Sequence, residues 1–423
     1  MKKHLILLSV LLLTWAVQVA AQESTLLHFM RNSPQSLRSN PANLLDTVTS
    51  FVGIPFLSNI NADFNLGFAY ADAIYRNPGN DSLSVNRDIV DKLTRSTRLG
   101  LDAHYELMSF GVRFREDNMV TFSLSAKAFG TFHFPKDLAV LLVHGNTPGE
   151  TLSFDSDINA SACVEVAVGY ARTFNENWKM GVKVKYLAGL ANIYGDDLTA
   201  AIATHPDDFS LQLSSQALVR TASVKDNPFE NSGLGFDAGL YYKSPVKGLE
   251  FSLSLIDWGY IQWNSVDKVY QSKVRDGRYE FKGITDIKDN NLNAILDTLE
   301  SVMKFNDVDN PDPYTSPLPG KIYFGASCDL NPFDKLGFLF STRALQKFSR
   351  TTFAFMYSRS VGKWLTVAAG NNFMLQKFFN PSVAAHFRLG NFQLHLTGEN
   401  LSSFNVKAIT TANIQFGMNI TIY

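Results

Sequence analysis

Apolar residues recur at every second position in one stretch after another of this chain, and a two-residue period marks a strand whose two faces meet different surroundings. In DFNLGFAY, Phe64, Leu66, Phe68 and Tyr70 share one face. In VTFSLSAKA, Val120, Phe122, Leu124, Ala126 and Ala128 oppose Thr121, Ser123, Ser125 and Lys127. The same period runs through MGVKVKYLA, LGFDAGLYY, LEFSLSL, IYFGASCDL, TFAFMYS, SVAAHFRL, FQLHLTGE and the closing NIQFGMNITIY. Such segments are about ten residues long, enough for a tilted strand to cross a bilayer. A water-soluble sandwich would alternate too, so the gaps must decide. Tight turns near 115–118, 175–177, 244–248, 331–335, 360–363 and 389–391 take turns with loops spanning 72–98, 130–160, 190–232, 259–318, 344–350, 374–381 and 400–407. Short periplasmic turns alternating with long outer loops are the rhythm of a membrane β-barrel. Tyr70, Tyr186, Tyr242, Trp258 and Trp364 sit near strand ends, where an interfacial aromatic girdle belongs.

The expected fold is therefore all-β, a transmembrane antiparallel β-barrel with short loop helices. Strand starts fall near 61, 99, 119, 161, 178, 233, 249, 319, 336, 351, 364, 382, 392 and 408, about fourteen in all. The range is twelve to sixteen, because FSLQLSSQALVRTA (209–222) reads either as loop or as another wall hairpin. An even count puts both termini on the periplasmic side and leaves no free edge. The last strand sets Ile414, Phe416, Met418, Ile420 and Ile422 on one face, with Tyr423 out of phase at the end.

The start of the chain, MKKHLILLSVLLLTWAVQVAAQ, has a charged beginning (Lys2, Lys3), an apolar run from Leu5 to Val17, and small residues before Gln22. It reads as a signal peptide over residues 1–21, the run being shorter than the roughly 18 to 20 residues of a spanning helix. No Cys follows that run, so a lipoprotein acyl anchor is excluded. Lys+Arg number 38 against 39 Asp+Glu, which gives no electrostatic basis for nucleic-acid binding or a polybasic surface. The two cysteines, Cys163 and Cys328, fall in opposite phases of non-neighbouring strands, which argues against a bridge.

Residues 22–60 precede the barrel of residues 61–423 and contain HFMRNSPQSLRSNPANLLD (28–46), which fits neither strand nor helix. Pro34 and Pro41 bar regular helix, while Asn and Ser side chains satisfy irregular backbone. The segment is either a plug inside the polar lumen or a periplasmic tail lying on the surface.

With the bulky face toward lipid, the opposite face lists the lumen: Asp102, His104, Glu106, Arg113, Lys127, Glu165, Lys183, Lys185, Asp237, Lys243, Arg343, His386, Arg388, His395 and Glu399. Glu165 and Lys185 should stand close across the turn at 175–177, a pair contributing about 0.2 to 1 kcal/mol. These charges either fill the interior as ion pairs or form a selectivity lining or a site for an anionic head group. His386, His395 and Glu399 lie on consecutive expected strands, but no nucleophile elbow or HExxH accompanies them, and no catalytic, cofactor or metal site is assigned. DVDNPDP (307–313) fails as a calcium loop, with Pro311 at the fifth place. LNAILDTLESVM (292–303) and LAVLLVH (138–144) read as short apolar helices near the outer mouth.

SNPAN (39–43), FPKDLAVLLVHGN (134–146), MGVKVKYLAGLA (180–191), NSGLGFDAGLYY (231–242), LIDWGYIQW (255–263), LPGKIYFGA (318–326) and LGNFQLHLTGENL (389–401) together resemble a family of Bacteroidota outer-membrane barrels catalogued as a domain of unknown function. More remotely the chain is similar to FadL-like transporters of hydrophobic compounds. The latter resemblance implies that the N-terminal segment folds inside the barrel as a hatch, with Asn40, Pro41 and Ala42 forming a turn at its base. It implies an outer-membrane channel for a hydrophobic or amphipathic small molecule, with membrane lipid as its surroundings. The alternative is a non-transporting scaffold, accessory to a secretion or gliding apparatus, binding a protein partner at its outer loops.

Overall fold

The computed structural model describes residues 25–31, 33–43, 48–76, 83–86, 88–94, 97–207, 210–246, 248–279, 306–307, 312–345, 349–374, 378–401 and 409–423. The helix expected at 292–303, the signal peptide and most of the acidic stretch at 307–313 lie outside them. The strands are β1 (Ser50–Gly53), β2 (Asn59–Asn65), β3 (Ile74–Arg76), β4 (Leu83–Val85), β5 (Arg98–Phe114), β6 (Asn118–His133) and β7 (Thr151–Thr173). Then come β8 (Trp178–Thr204), β9 (Leu211–Ser223), β10 (Ser232–Lys243), β11 (Leu249–Trp263), β12 (Val266–Tyr279), β13 (Asn306–Asp307) and β14 (Tyr314–Pro317). The last are β15 (Lys321–Asp329), β16 (Asp334–Ala344), β17 (Ser349–Val361), β18 (Leu365–Phe373), β19 (Pro381–Leu389), β20 (Phe392–Glu399) and β21 (Thr411–Ile422).

Every pairing in the large sheet is antiparallel, and the sheet closes on itself. From β5 the wall runs through β6, β7, β8, β10, β11, β15, β16, β17, β18, β19, β20 and β21. It returns to β5 through β1 and β2, which act as two pieces of one strand and pair with β21 on one side and β5 on the other. That makes fourteen wall positions among the described residues. Above them β9 pairs with the far end of β8 and with β12. Counted as strands in their own right, β9 and β12 raise the number to sixteen. Closure pairs the backbone groups that an open edge would expose to hydrocarbon.

The alternation of the sequence becomes an alternation of surroundings. Val184 is 58% exposed and its neighbour Lys185 only 3%. Leu101, Val112, Val168, Leu234, Leu253, Phe355, Val383, Leu396 and Ile414 point outward in the same way, forming the band that faces lipid. No helix among the described residues is long and apolar enough to cross a membrane, so the crossing rests on strands. On the rim formed by the tight turns Trp178 packs on Tyr242, with ring centroids 4.5 Å apart, and Trp364 lies near Phe387. Toward the loop rim Tyr186, Trp258 and Tyr260 are exposed. Cys163 and Cys328 are free thiols on β7 and β15.

Three boundaries differ from the sequence expectation. The first wall strand begins at Ser50 rather than near residue 61. Phe51 points inward and Val52 outward, but the alternation then breaks where the chain kinks at Phe56, whose φ is 64°. The expected loops 130–160 and 190–232 are partly strand, since β7, β8 and β9 continue beyond the apolar band in polar sequence. There the outward face no longer needs to be apolar, and the period-two signal fades. The helix expected at 138–144 is present as one of three described α-helices: α1 (Tyr70–Ala73), α2 (Ile89–Lys92) and α3 (Lys136–His144). Ala139 of α3 joins Ile89, Val90 and Leu93 in a small apolar cluster at the loop rim.

Candidate functional site

Residues 25–31 and 33–43 lie inside the ring. Two short 3-10 turns, Leu27–Phe29 and Pro34–Arg38, carry the chain across the lumen, with Pro34 at the first helical position where its missing N–H removes no bond. Leu26, Leu27 and Met30 pack on inward-facing Met356, Ala368 and Ala384, and Leu37 packs on Phe51 and Met119. Polar contacts fix the path. The Glu399 carboxylate accepts from the backbone of Thr25 (2.7 Å) and Leu26 (3.0 Å) and from the Thr25 hydroxyl (2.7 Å). His28 Nε2 meets Ser252 Oγ at 2.8 Å. Burial first, and Arg31 second, hold the His28 imidazole down to about 3, so the ring is neutral. Arg31 pairs with Glu250, Gln35 Nε2 donates to the Ser58 carbonyl at 2.6 Å, and Ser254 Oγ donates to the Ser39 carbonyl at 2.6 Å.

Asn40, Pro41 and Ala42 form a turn. Asn40 Oδ1 accepts from the Ala42 amide at 2.8 Å and its Nδ2 donates to the wall at Leu240 O, 3.1 Å away. The turn sits on two glycines directly opposed across β8 and β10, Gly181 and Gly239. A Cβ on Gly239 would lie 2.0 Å from Asn40 Oδ1, and one on Gly181 would lie 2.2 Å from the Pro41 carbonyl. Only a residue without a side chain admits the turn there. Gly239→Val is expected to dislodge it and destabilise the barrel by about 1 to 3 kcal/mol, the usual scale of an overpacked contact. Limited proteolysis reads this as new cleavage within residues 25–43, and a variant as resistant as the parent removes the argument.

Beside the segment lies a layer of buried ion pairs. Lys127 contacts Glu165 at 2.6 Å and Asp257 at 2.9 Å. Lys185 contacts Asp257 at 2.5 Å, Asp237 at 2.6 Å and Glu165 at 3.8 Å. Lys321 reaches Asp257 at 3.4 Å and Asp102 at 3.8 Å, and Arg343 closes the chain on Asp102 at 2.7 Å. Lys127, Lys185, Lys321 and Arg343 thus face an equal number of carboxylates, as burial of charge requires. Asp257 is the hub, and it reaches that position through a bulge. Its φ is 56° and the β10–β11 register shifts beside it, between Phe236 and Ala238. The Asp257 amide donates to Asp237 Oδ1 at 2.8 Å. Before the bulge even-numbered residues of β11 face inward; after it odd-numbered ones do, down to Ile261 and Trp263.

Between segment and wall is a cavity of about 860 Å³, space opening to solvent included. Its walls combine apolar Leu37, Phe51 and Ile256 with members of the ionic layer.

Of the expected lumen residues, the structure gathers Asp102, Lys127, Glu165, Lys185, Asp237 and Arg343 into this layer, with the expected Glu165 and Lys185 neighbours in it. Lys183 donates to the Leu37 carbonyl at 3.4 Å. His386 and His395 stand opposite each other on β19 and β20, both buried, while Glu399 holds the inner segment. Arg388 lies at the turn rim over the Tyr423 ring, 3.4 Å from its centroid, and Lys243 is exposed. Tyr423 turns back to accept from Gln393 Nε2 at 2.8 Å, which accounts for its being out of phase. The sequence reading missed Asp257, because the bulge reverses the phase. It also missed Lys321, whose in-phase place beside Tyr323 and Gly325 carried the signal. Among the described residues no group of three or more His, Cys, Asp or Glu could hold a metal ion.

A family model described as a family of unknown function, DUF5723, matches residues 41–398. No curated protein matches the chain. Among solved structures, the Ralstonia pickettii toluene transporter TbuX is 10% identical, with 92% of this chain and 94% of that one covered and a TM-score of 0.46. The P. putida toluene transporter TodX is 10% identical, with 91% and 92% covered and a TM-score of 0.41. A Pseudomonas aeruginosa FadL homologue is 12% identical, with 92% and 94% covered and a TM-score of 0.39.

Proposed function

We propose, from the premise that this chain belongs to the family of unknown function DUF5723, that it is an outer-membrane channel for a hydrophobic or amphipathic small molecule, with residues 25–43 as its plug. The observation that carries this reading is the inner segment itself. It runs across the lumen, is bound through side chains rather than strand ladders, and borders a cavity with both apolar and charged walls. A barrel of this circumference exceeds the eight strands whose interior side chains alone can fill, so something else must close it.

Entry of a hydrophobic dye tests the reading. Cells displaying the chain in their outer membrane should take up N-phenyl-1-naphthylamine severalfold faster than cells displaying none. Equal rates would remove the channel from consideration.

A second reading, a scaffold that holds a protein partner, is favoured by one observation. β8 has 27 residues, roughly 90 Å at the usual rise, against a hydrocarbon core of about 30 Å. The sheet of β7, β8, β9 and β12 therefore stands well clear of the membrane, a platform that a pore does not need. A stable, stoichiometric partner co-purifying with the full chain, and lost on shortening the β8–β9 hairpin, would establish it.

A further inference from the structure

The ionic layer accounts for most of the charge around the cavity, but not for all of it. Lys127, Lys185 and Lys321 are held by Glu165, Asp237 and Asp257. Arg38, at the end of the second 3-10 turn, and Glu106, on β5, line the same space. Neither side chain makes an ion pair or hydrogen bond among the described residues, although Glu106 is only 8% exposed; Lys183, in the same lining, attracts Glu106 through space while its ammonium donates to the Leu37 carbonyl. His104, two residues from Glu106 on the same face of β5, is 4% exposed, and both its ring nitrogens lack a partner. A second acceptor in the cavity lining, Gln415 Oε1, is likewise unsatisfied. Removing charged and polar groups from water without partners is costly, so this cluster calls for an occupant that supplies both signs. The apolar remainder of such a molecule has Leu37 and Phe51 to lie against.

We propose that this cavity binds a small amphipathic zwitterion, its carboxylate on the Arg38 guanidinium and its ammonium on the Glu106 carboxylate. This deepens the channel reading and rests on it for the route by which the molecule arrives. The plug supplies one half of the site and the wall the other, so the ligand bridges the two, and its presence ties the segment to β5.

Calorimetric titration of the detergent-solubilised full chain tests it with three probes of matched apolar bulk: L-leucine, 4-methylpentanoate and isoamylamine. Leucine is expected to bind at least tenfold more tightly than either single-charge analogue. Arg38→Gln should reduce leucine to the level of the amine, and Glu106→Gln to the level of the acid. A charge-assisted bond contributes about ten- to a hundredfold in affinity, which sets the scale of both losses. Equal binding of the three probes, a preference for the acid or the amine, or no binding of leucine overturns the proposal. The comparison of probes on the parent chain stands even where a variant fails to fold. The dye-entry measurement separates the two readings. Dye entry without leucine preference removes the site and keeps the channel, whereas leucine preference without dye entry removes the channel and keeps the site.

Discussion

Deleting residues 25–43 is expected to raise the conductance of the barrel in a planar bilayer at least tenfold. The physical reason is geometric. Fourteen wall positions enclose more space than inward side chains fill, and porins with only slightly more strands leave an aqueous channel. The segment occupies that space with buried Leu26, Leu27, Met30 and Leu37, and its loss would leave their partners Met119, Met356 and Ala384 facing water. The ring itself should survive, because its closing pairings, β1 and β2 with β21, lie outside the deletion. A deletion variant with the heat-modifiable gel mobility of a folded barrel and unchanged conductance would show that the segment does not close the pore.

The second large effect concerns the hub of the ionic layer. Asp257→Asn should destabilise the protein by about 3 to 5 kcal/mol, the scale on which removing one member of a buried ion network leaves its partners uncompensated. Lys127, Lys185 and Lys321 would lose the carboxylate they share. Asparagine also tolerates the left-handed backbone that φ 56° demands, so the substitution isolates charge from strain. Asp257→Gly keeps the backbone still more comfortable and should cost as much. Urea unfolding in detergent reads both variants, and a loss below about 1 kcal/mol would mean that water within the cavity screens the layer.

How much of this was legible beforehand follows from which residues obeyed the period. Wall strands were readable because lipid on one side and a polar lumen on the other force every second residue to choose. That is why Leu124 and Lys127, or Val184 and Lys185, betray their faces. Where the wall leaves the bilayer, as in Thr199 to Thr204, that pressure is gone and the strand goes unnoticed. The bulge at Asp257 shows the opposite failure: the strand was visible, but one inserted residue inverted its phase and hid the central carboxylate. The ionic members on unbroken strands, from Asp102 to Arg343, were readable and all but Lys321 were read, whereas their grouping was not, since it depends on which strands meet across the lumen. The pairing of Gly181 with Gly239 was similarly out of reach, because a glycine in a strand announces a close approach without naming what approaches.

The grip of Glu399 on Thr25 joins residues 374 positions apart. That contact forms only when almost the whole polypeptide is in place, and long-range contacts of this kind slow assembly. The seam is completed by the split pair β1 and β2, which follows the segment in sequence, so this early stretch of the chain is among the last to find its position. A cylinder that zipped shut before these residues had threaded inward would trap them outside, so the seam is expected to close only once its occupant is seated.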